Sequence, residues 1–195
     1  MVGTAAPLGR DDIDTDQIIP SEFLKVVEKR GIGRYLFYRW RYNEDGSEND
    51  GFVLNKPLYR SSTILLAGSN FGIGSSRENA VWSILDSGVK CVIARSFGDI
   101  FQNNAARNGL LCVKVEGPTL ALLKSMAEQG VTFEVDVQAQ EVKAGQVSVS
   151  FELDHHAKSR LLEDHDEVAL TLGRHEGALS AYEGRMPSWA DPEAK

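Results

Sequence analysis

The stretch Thr63 to Ala80, TILLAGSNFGIGSSRENA, restricts the possible folds more than any other part of the chain, because it joins an apolar run, a glycine-punctuated loop and a helix start. Thr63-Ile64-Leu65-Leu66-Ala67 has the length and branching of a buried strand. Gly68, Gly72 and Gly74 let the backbone take positive φ and approach a ligand closely. Ser75-Ser76-Arg77-Glu78 is an S-x-x-E pattern, which predicts a capping box and places Ser75 at a helix N-terminus. Free amides and the positive helix pole stabilise an anion there, and Arg77 adds a planar cationic fork suited to a carboxylate. The expectation is a site for an anionic, carboxylate-bearing ligand. The pattern also allows the plainer reading, in which Ser75 only caps and Arg77 is a surface charge. A phosphate loop is disfavoured, since the spacing is G-x-x-x-G-x-G with no G-x-x-x-x-G-K-[ST].

Strand and helix signals alternate after this stretch. Val81, Ile84 and Leu85 recur at helical spacing up to Gly88, and Cys91 to Ala94 reads as a buried strand. Asp99 to Asn108 reads as a helix ended by Gly109, Leu110 to Val115 as a strand, and Pro118 opens a helix that stops at Gly130. This alternation implies crossovers and parallel pairing. The grammar then changes: Phe133 to Val137 alternates with period two, Ala144-Gly145 breaks it, and Val147 to Leu153 alternates again, which predicts an antiparallel hairpin. A mostly helical tail is expected from Asp154, with residues 187–195 a mobile end. The 195 residues fit one α/β domain with a mixed sheet.

Upstream, DDIDTDQIIP at Asp11 to Pro20 gathers Asp11, Asp12, Asp14 and Asp16 around Thr15. It is expected to be an acidic loop running into a short extended segment. From Phe23 to Tyr42 aromatics interleave with Arg34, Arg39 and Arg41. A net charge of -7 argues against nucleic acid, so packing or a protein interface is the preferred role for these rings. Asn43 to Gly51 has nothing to bury and is expected to be an exposed loop. Nothing in the N-terminal residues or later reaches signal-peptide or membrane-spanning length, so a cytoplasmic protein is expected. Cys91 and Cys112 lie in apolar runs, away from any C-x-x-C spacing, and read as buried hydrophobes rather than a disulfide or metal ligands. His155, His156, His165 and His175 lack H-E-x-x-H spacing and read as surface residues.

Taken together, IDTDQIIP (residues 13–20), GSNFGIGSSRE (68–78) and SFGDIFQNNAARNGLL (96–111) resemble the small-subunit family of 3-isopropylmalate dehydratase, in the aconitase superfamily. RGIGRYLFYRWRY, AQEVKAG and ALTLGRHEGALSAYE extend the likeness over nearly the whole chain. The resemblance implies a single swivelling β/β/α three-layer domain spanning residues 1–195. That domain would close over a separate large subunit, in a heterodimer or heterotetramer. Three cysteines of the large subunit would hold a [4Fe-4S] cluster with one open iron; two cysteines in this chain are too few for one. It further implies that Ser75 is the catalytic base, that Arg77 binds a substrate carboxylate with Ser76 beside it, and that Asp16 lines the same cleft. Leu24, in Phe23-Leu24-Lys25, falls where relatives meet the substrate's variable group, with apolar residues where that group is isopropyl.

The implied reaction removes water from 2-isopropylmalate to give isopropylmaleate and returns it at the other carbon, a step of leucine biosynthesis. A serine can take the proton only if its alkoxide is strongly stabilised. Ile73, Asn79, Val81 and Arg95 depart from residues common in the family, which bears on substrate identity rather than reaction class. The alternative within the class is a paralogue acting on dimethylmaleate or methylmalate. A serine hydrolase lacks its G-x-S-x-G elbow here, and an idle scaffold would have no need of Ser75 or Arg77.

Overall fold

Short apolar runs become central strands when both of their faces can be covered, and the region between Ala5 and Lys114 supplies four of them. The computed structural model of the chain describes residues 1–24, 29–153, 158–159, 161–162, 177 and 181–182. Met1–Leu162 form one compact unit and Glu163–Lys195 a second, so the following elements belong to the first. In chain order they are β1 (Val2–Gly3), β2 (Ala5–Pro7), α1 (Thr15–Ile18), 3-10 turns at Ser21–Phe23 and Ile32–Tyr35, α2 (Tyr38–Arg41), a 3-10 turn at Val53–Asn55, β3 (Ile64–Leu66), α3 (Glu78–Asp86), β4 (Cys91–Ala94), α4 (Asp99–Asn108), β5 (Leu111–Lys114), α5 (Gly117–Glu128), β6 (Phe133–Asp136), β7 (Glu141–Ala144) and β8 (Val147–Ser150).

The parallel and antiparallel pairings of the expected α/β architecture are divided between two sheets. One is parallel in the order β2-β3-β4-β5, with Ala5 opposite Ile64, Ile64 opposite Cys91, and Cys91 opposite Leu111. The other is antiparallel in the order β1-β6-β7-β8. The N-terminal residues pass from one sheet to the other through Gly3, where a Cβ would lie 2.0 Å from the Thr63 hydroxyl. The expected two-strand hairpin is instead a three-strand meander. β7 lies between the two alternating runs, and the Asp136 carboxylate, accepting from the Ala139 amide at 2.8 Å, closes the extra turn.

Because successive strand residues face opposite sides, the parallel sheet feeds two cores. Ala6, Leu65, Val92 and Cys112 pack with Ala80, Val81 and Ile84 of α3 and with Phe101 and Ala105 of α4. Ile64, Leu66, Ile93 and Val113 pack with Leu120 and Leu123 of α5 and with Phe133, Val135 and Val142 of the antiparallel sheet. The result is the β/β/α layering of the expected fold. In the aromatic run, Phe23 stacks on Tyr35 at 4.0 Å between centroids and the buried Phe37 stacks on Trp40 at 5.3 Å. Residues 43–47 are exposed and turn on an Asn43 amide bond to the Ser47 carbonyl at 2.8 Å.

Candidate active site

Open parallel sheets collect ligands at the carboxyl ends of their strands, and here the chain segments leaving β2, β3 and β4 are laced together at that end. Segment 68–77, after β3, lies in the middle. On one side the Gly68 amide donates to the Arg10 carbonyl at 2.8 Å, Gly72 to Ile13 at 2.6 Å, and Thr15 donates back to Ile73 at 2.9 Å. On the other side Phe71 donates to Ser96 at 3.0 Å and Gly98 donates to Phe71 at 2.9 Å. Phe71 is fully buried, edge-on to Phe101 at 5.2 Å, a geometry that adds about 0.5–1.5 kcal/mol beyond area burial.

This lacing changes the meaning of two glycines. A Cβ at Gly68 would lie 1.9 Å from the Asp11 carboxylate, and one at Gly72, where φ is +76°, would lie 2.3 Å from the Phe101 ring. The close approach that these glycines permit is to neighbouring chain.

The expected capping box at Ser75 does not form. Ile73 pairs in parallel with Asp14, the Thr15 hydroxyl donates to the Ser75 carbonyl at 3.2 Å, and α3 therefore starts only at Glu78. Its N-cap residue is Arg77, with no side-chain cap. The Glu78 carboxylate turns away to accept from Asn108 at 2.7 Å. Ser75 and Ser76 are exposed, and the amides of Ser75, Ser76 and Arg77 make no hydrogen bond among the described residues.

A capping box forms in the acidic segment instead, which is helical over Thr15–Ile18 where a loop running into an extended segment was expected. The Asp14 carboxylate accepts from the Gln17 amide at 2.7 Å and Gln17 accepts from the Asp14 amide at 2.9 Å. This box starts α1 and puts Asp16 in its first turn, where its carboxylate pairs with the Arg77 guanidinium. The hydrogen bond from Arg77 is the main cause holding the Asp16 carboxyl below its ordinary range. Burial opposes it, and the charges of Arg77 and Arg39 and the Ser21 amide add to it.

Asp16, Ser75 and Arg77 are thus drawn together, with Ser76 adjacent in the chain. Leu24 closes the Ser21–Phe23 turn, half-buried against the α3–α4 core, and no hydrogen bond or ion pair joins it to the other four. Sequence reasoning missed Thr15 and Arg39. The signal for Thr15 was the pattern D-T-D-Q, an acid followed three residues later by Gln; Arg39 acts on Asp16 through space and left no local signal.

The two cysteines were read as buried hydrophobes, and they lie on opposite faces of the parallel sheet, Cys91 in one core and Cys112 in the other. Burial pushes both thiols up, Cys112 to about 12 and Cys91 well above its ordinary value. Thiols so placed do not fit a cluster, which needs convergent thiolates. Among the described residues no group of three His, Cys, Asp or Glu could hold a metal, and no helix is long and apolar enough to cross a membrane. The four histidines and residues 187–195 lie outside the described residues.

The aconitase C-terminal domain family matches residues 1–118. The 3-isopropylmalate dehydratase small subunit of Frankia casuarinae is 47% identical over 194 residues, covering 98% of this chain and 96% of the relative. That of Oceanobacillus iheyensis is 44% identical over 182 residues, covering 93% and 94%, and that of Methylorubrum populi 46% over 193 residues, covering 96% of each. The crystal structure of 3-isopropylmalate dehydratase from Methanocaldococcus jannaschii superposes with a TM-score of 0.68 at 26% identity, over 93% of this chain and 99% of that one.

Proposed function

Because this chain belongs to the aconitase C-terminal domain family, and within it to the 3-isopropylmalate dehydratase small subunits, we propose that it serves a hydro-lyase interconverting 2-isopropylmalate and 3-isopropylmalate through isopropylmaleate, in leucine biosynthesis. The observation that carries this reading is the convergence of Ser75, Arg77 and Asp16 at the carboxyl ends of β2 and β3. We assign Ser75 as the base and Arg77 as the ligand of a substrate carboxylate. Ser76 donates beside Arg77, and Leu24 is an apolar wall for the isopropyl group.

In the dehydration direction the Ser75 oxygen takes the proton from the carbon next to the one bearing the hydroxyl. The C–H electron pair becomes the new double bond, the C–O bond breaks, and the hydroxyl leaves with that bond's electron pair and takes a proton from solvent to become water. Rehydration runs these steps in reverse with the two carbons exchanged, Ser75 returning the proton to the carbon that had carried the hydroxyl. The serine alkoxide needs strong local stabilisation, and the Arg77 guanidinium with the uncommitted amides of residues 75–77 is suited to it. Asp16 pre-orients the Arg77 fork, which spares the substrate part of the cost of ordering it.

The cysteines of this chain do not fit the family's cluster, so the [4Fe-4S] centre is assigned to a large subunit, where it would supply Lewis-acid chemistry at the substrate hydroxyl. We assign residues 1–195 to one swivelling domain closing over that subunit, in a cytoplasmic heterodimer or heterotetramer.

The test is reconstitution with a cluster-bearing large subunit, following isopropylmaleate by ultraviolet absorbance and running dimethylmaleate in parallel. The expected result is turnover of isopropylmalate only in the complex, with this chain alone colourless and inactive. Turnover by the chain alone, or a higher kcat/KM for dimethylmaleate, overturns the reading.

A further inference from the structure

A cavity of about 520 Å³ opens at the carboxyl ends of β4 and β5, lined by Ser69, Arg95, Ser96, Lys114, Glu116 and Gly117. Arg95 reaches over the start of α5: a Cβ built on Gly117 would lie 3.7 Å from its Nε and 4.0 Å from its Cζ. The α5 N-terminus carries no side-chain cap, so the Gly117 and Thr119 amides keep their donors, Pro118 having none, and no side chain is hydrogen-bonded to the positive pole of the helix. A permanent cation held against a positive helix end is repelled unless an anion lies between them. Neither Arg95 nor Lys114 has an ion-pair partner among the described residues, and Glu116, the carboxylate in the wall, pairs with neither. The Ser69 hydroxyl is uncommitted among the described residues. Ser96 is not, since its hydroxyl donates to Asn70 Oδ1 at 3.1 Å and accepts from the Asn70 amide at 2.8 Å, leaving it as wall only.

We propose that this cavity binds a small phosphate-bearing anion, with Arg95 and Lys114 as its cationic ligands and Ser69 and the first amides of α5 as its neutral donors. Arginine offers a phosphate two parallel bonds and lysine a point charge, and a helix start supplies amides aimed at the same oxygens. The volume lies in the range of sites for whole small molecules, about 300–1,000 Å³. A free phosphate would leave much of it empty, whereas a phosphate carried on a larger body would also meet the apolar wall at Val115.

Calorimetric titration of the full chain with inorganic phosphate and with adenosine 5′-monophosphate tests the site and separates its two sources. Saturable one-site binding is expected, weakened at least about tenfold by Arg95→Gln and by Lys114→Gln, the loss of one charge-assisted ligand each. It should be unchanged by Arg77→Gln. Tighter binding of the nucleotide assigns the site to a carried phosphate, and equal binding assigns it to the free ion. Arg95→Lys, which keeps the charge and loses the fork, should fall between wild type and Arg95→Gln, and it guards against a misfolded Gln variant. No saturable binding of either probe, binding indifferent to both cavity substitutions, or binding abolished by Arg77→Gln overturns the proposal.

Discussion

The Thr15 hydroxyl donates to the Ser75 carbonyl at 3.2 Å, bridging residues that are 60 positions apart. Thr15 is buried, so this bond ties the exposed part of the 68–77 loop to a fixed point of the core. Thr15→Val keeps the shape and removes the donor. The Ser75 carbonyl is left near water, so the expected cost is only about 1 kcal/mol of stability. The larger effect should be on turnover, with kcat lowered and Thr15→Ser restoring it. Chemical denaturation and steady-state kinetics of the reconstituted complex measure the two effects; equal kcat for wild type and Thr15→Val would remove Thr15 from any positioning role.

Ser75→Ala separates base from cap. A lost N-cap costs about 1 kcal/mol, but Ser75 does not cap α3, and its side chain is exposed. Stability should therefore stay within about 0.5 kcal/mol. Loss of a general base typically costs about 10²–10⁴-fold, and kcat should fall at least that far with assembly intact. Normal turnover in the assembled variant would take the base role away from Ser75.

The Asp16–Arg77 pair predicts a pH dependence of definite sign. The Asp16 carboxyl is held below its ordinary value chiefly by Arg77, so its contribution to stability is complete above the unfolded value of about 3.9. It is lost as pH falls through the folded value. The stability difference between wild type and Asp16→Asn should thus be flat near neutrality and shrink below about pH 4. The Asp16 side chain is 43% exposed, so salt should reduce the difference. Carboxyl resonances followed by NMR give the direct measurement: Arg77→Gln should return the Asp16 titration toward its ordinary position.

What was legible in the sequence depended on how local the cause was. Cys91–Ala94 and Asp99–Asn108 appear with the bounds read from the chain, because a short apolar run and a glycine stop are local signals; Gly109 does end α4, at φ +80°. β1 and β2 were missed because Val2–Gly3 and Ala5–Pro7 are too short for periodicity and exist through pairing with Phe133–Glu134 and Ile64–Leu66. The same non-local effect misled the reading of Ser75. Its S-x-x-E pattern was sound, but the parallel pairing of Ile73 with Asp14 and the Thr15 bond to the Ser75 carbonyl took the serine out of reach of the cap. The residues that converge were visible as types, whereas the Thr15 and Arg39 contributions needed the fold.

Gly72→Ala tests the lacing. At φ +76° any side chain is strained, and the new Cβ would lie 2.3 Å from the ring of Phe101, itself only 2% exposed and unable to swing away. Overpacking of this kind costs about 1–3 kcal/mol, and the backbone strain adds a further amount of about 1 kcal/mol or more. Phe101→Ala, which removes the Cγ and Cδ2 atoms at 2.3 and 2.6 Å, should therefore cost less on this background than in the wild type. A double-mutant cycle by thermal denaturation reads the coupling, and a coupling of zero would show that the loop relaxes away from the ring.

Leu24→Arg tests the isopropyl assignment. Leu24 sits half-buried at the end of the Ser21–Phe23 turn, five residues beyond Ile19 at the C-cap of the helix that carries Asp16. If its side chain borders the substrate's variable group, each methyl of isopropyl buried against it is worth about 0.8 kcal/mol. A third carboxylate at that position would be desolvated without a partner, at a cost of several kcal/mol. An arginine reverses both terms, because it removes the apolar wall and supplies a bidentate cation. Leu24→Arg should therefore lower kcat/KM for isopropylmalate and raise it for a homologous tricarboxylate such as homoaconitate. Both constants are to be measured for wild type and variant with the same large subunit, after thermal denaturation and gel filtration have shown that the variant folds and assembles. An unchanged ratio in an assembled variant would show that this turn does not meet the variable group, and the selectivity for isopropyl would then have to come from the large subunit.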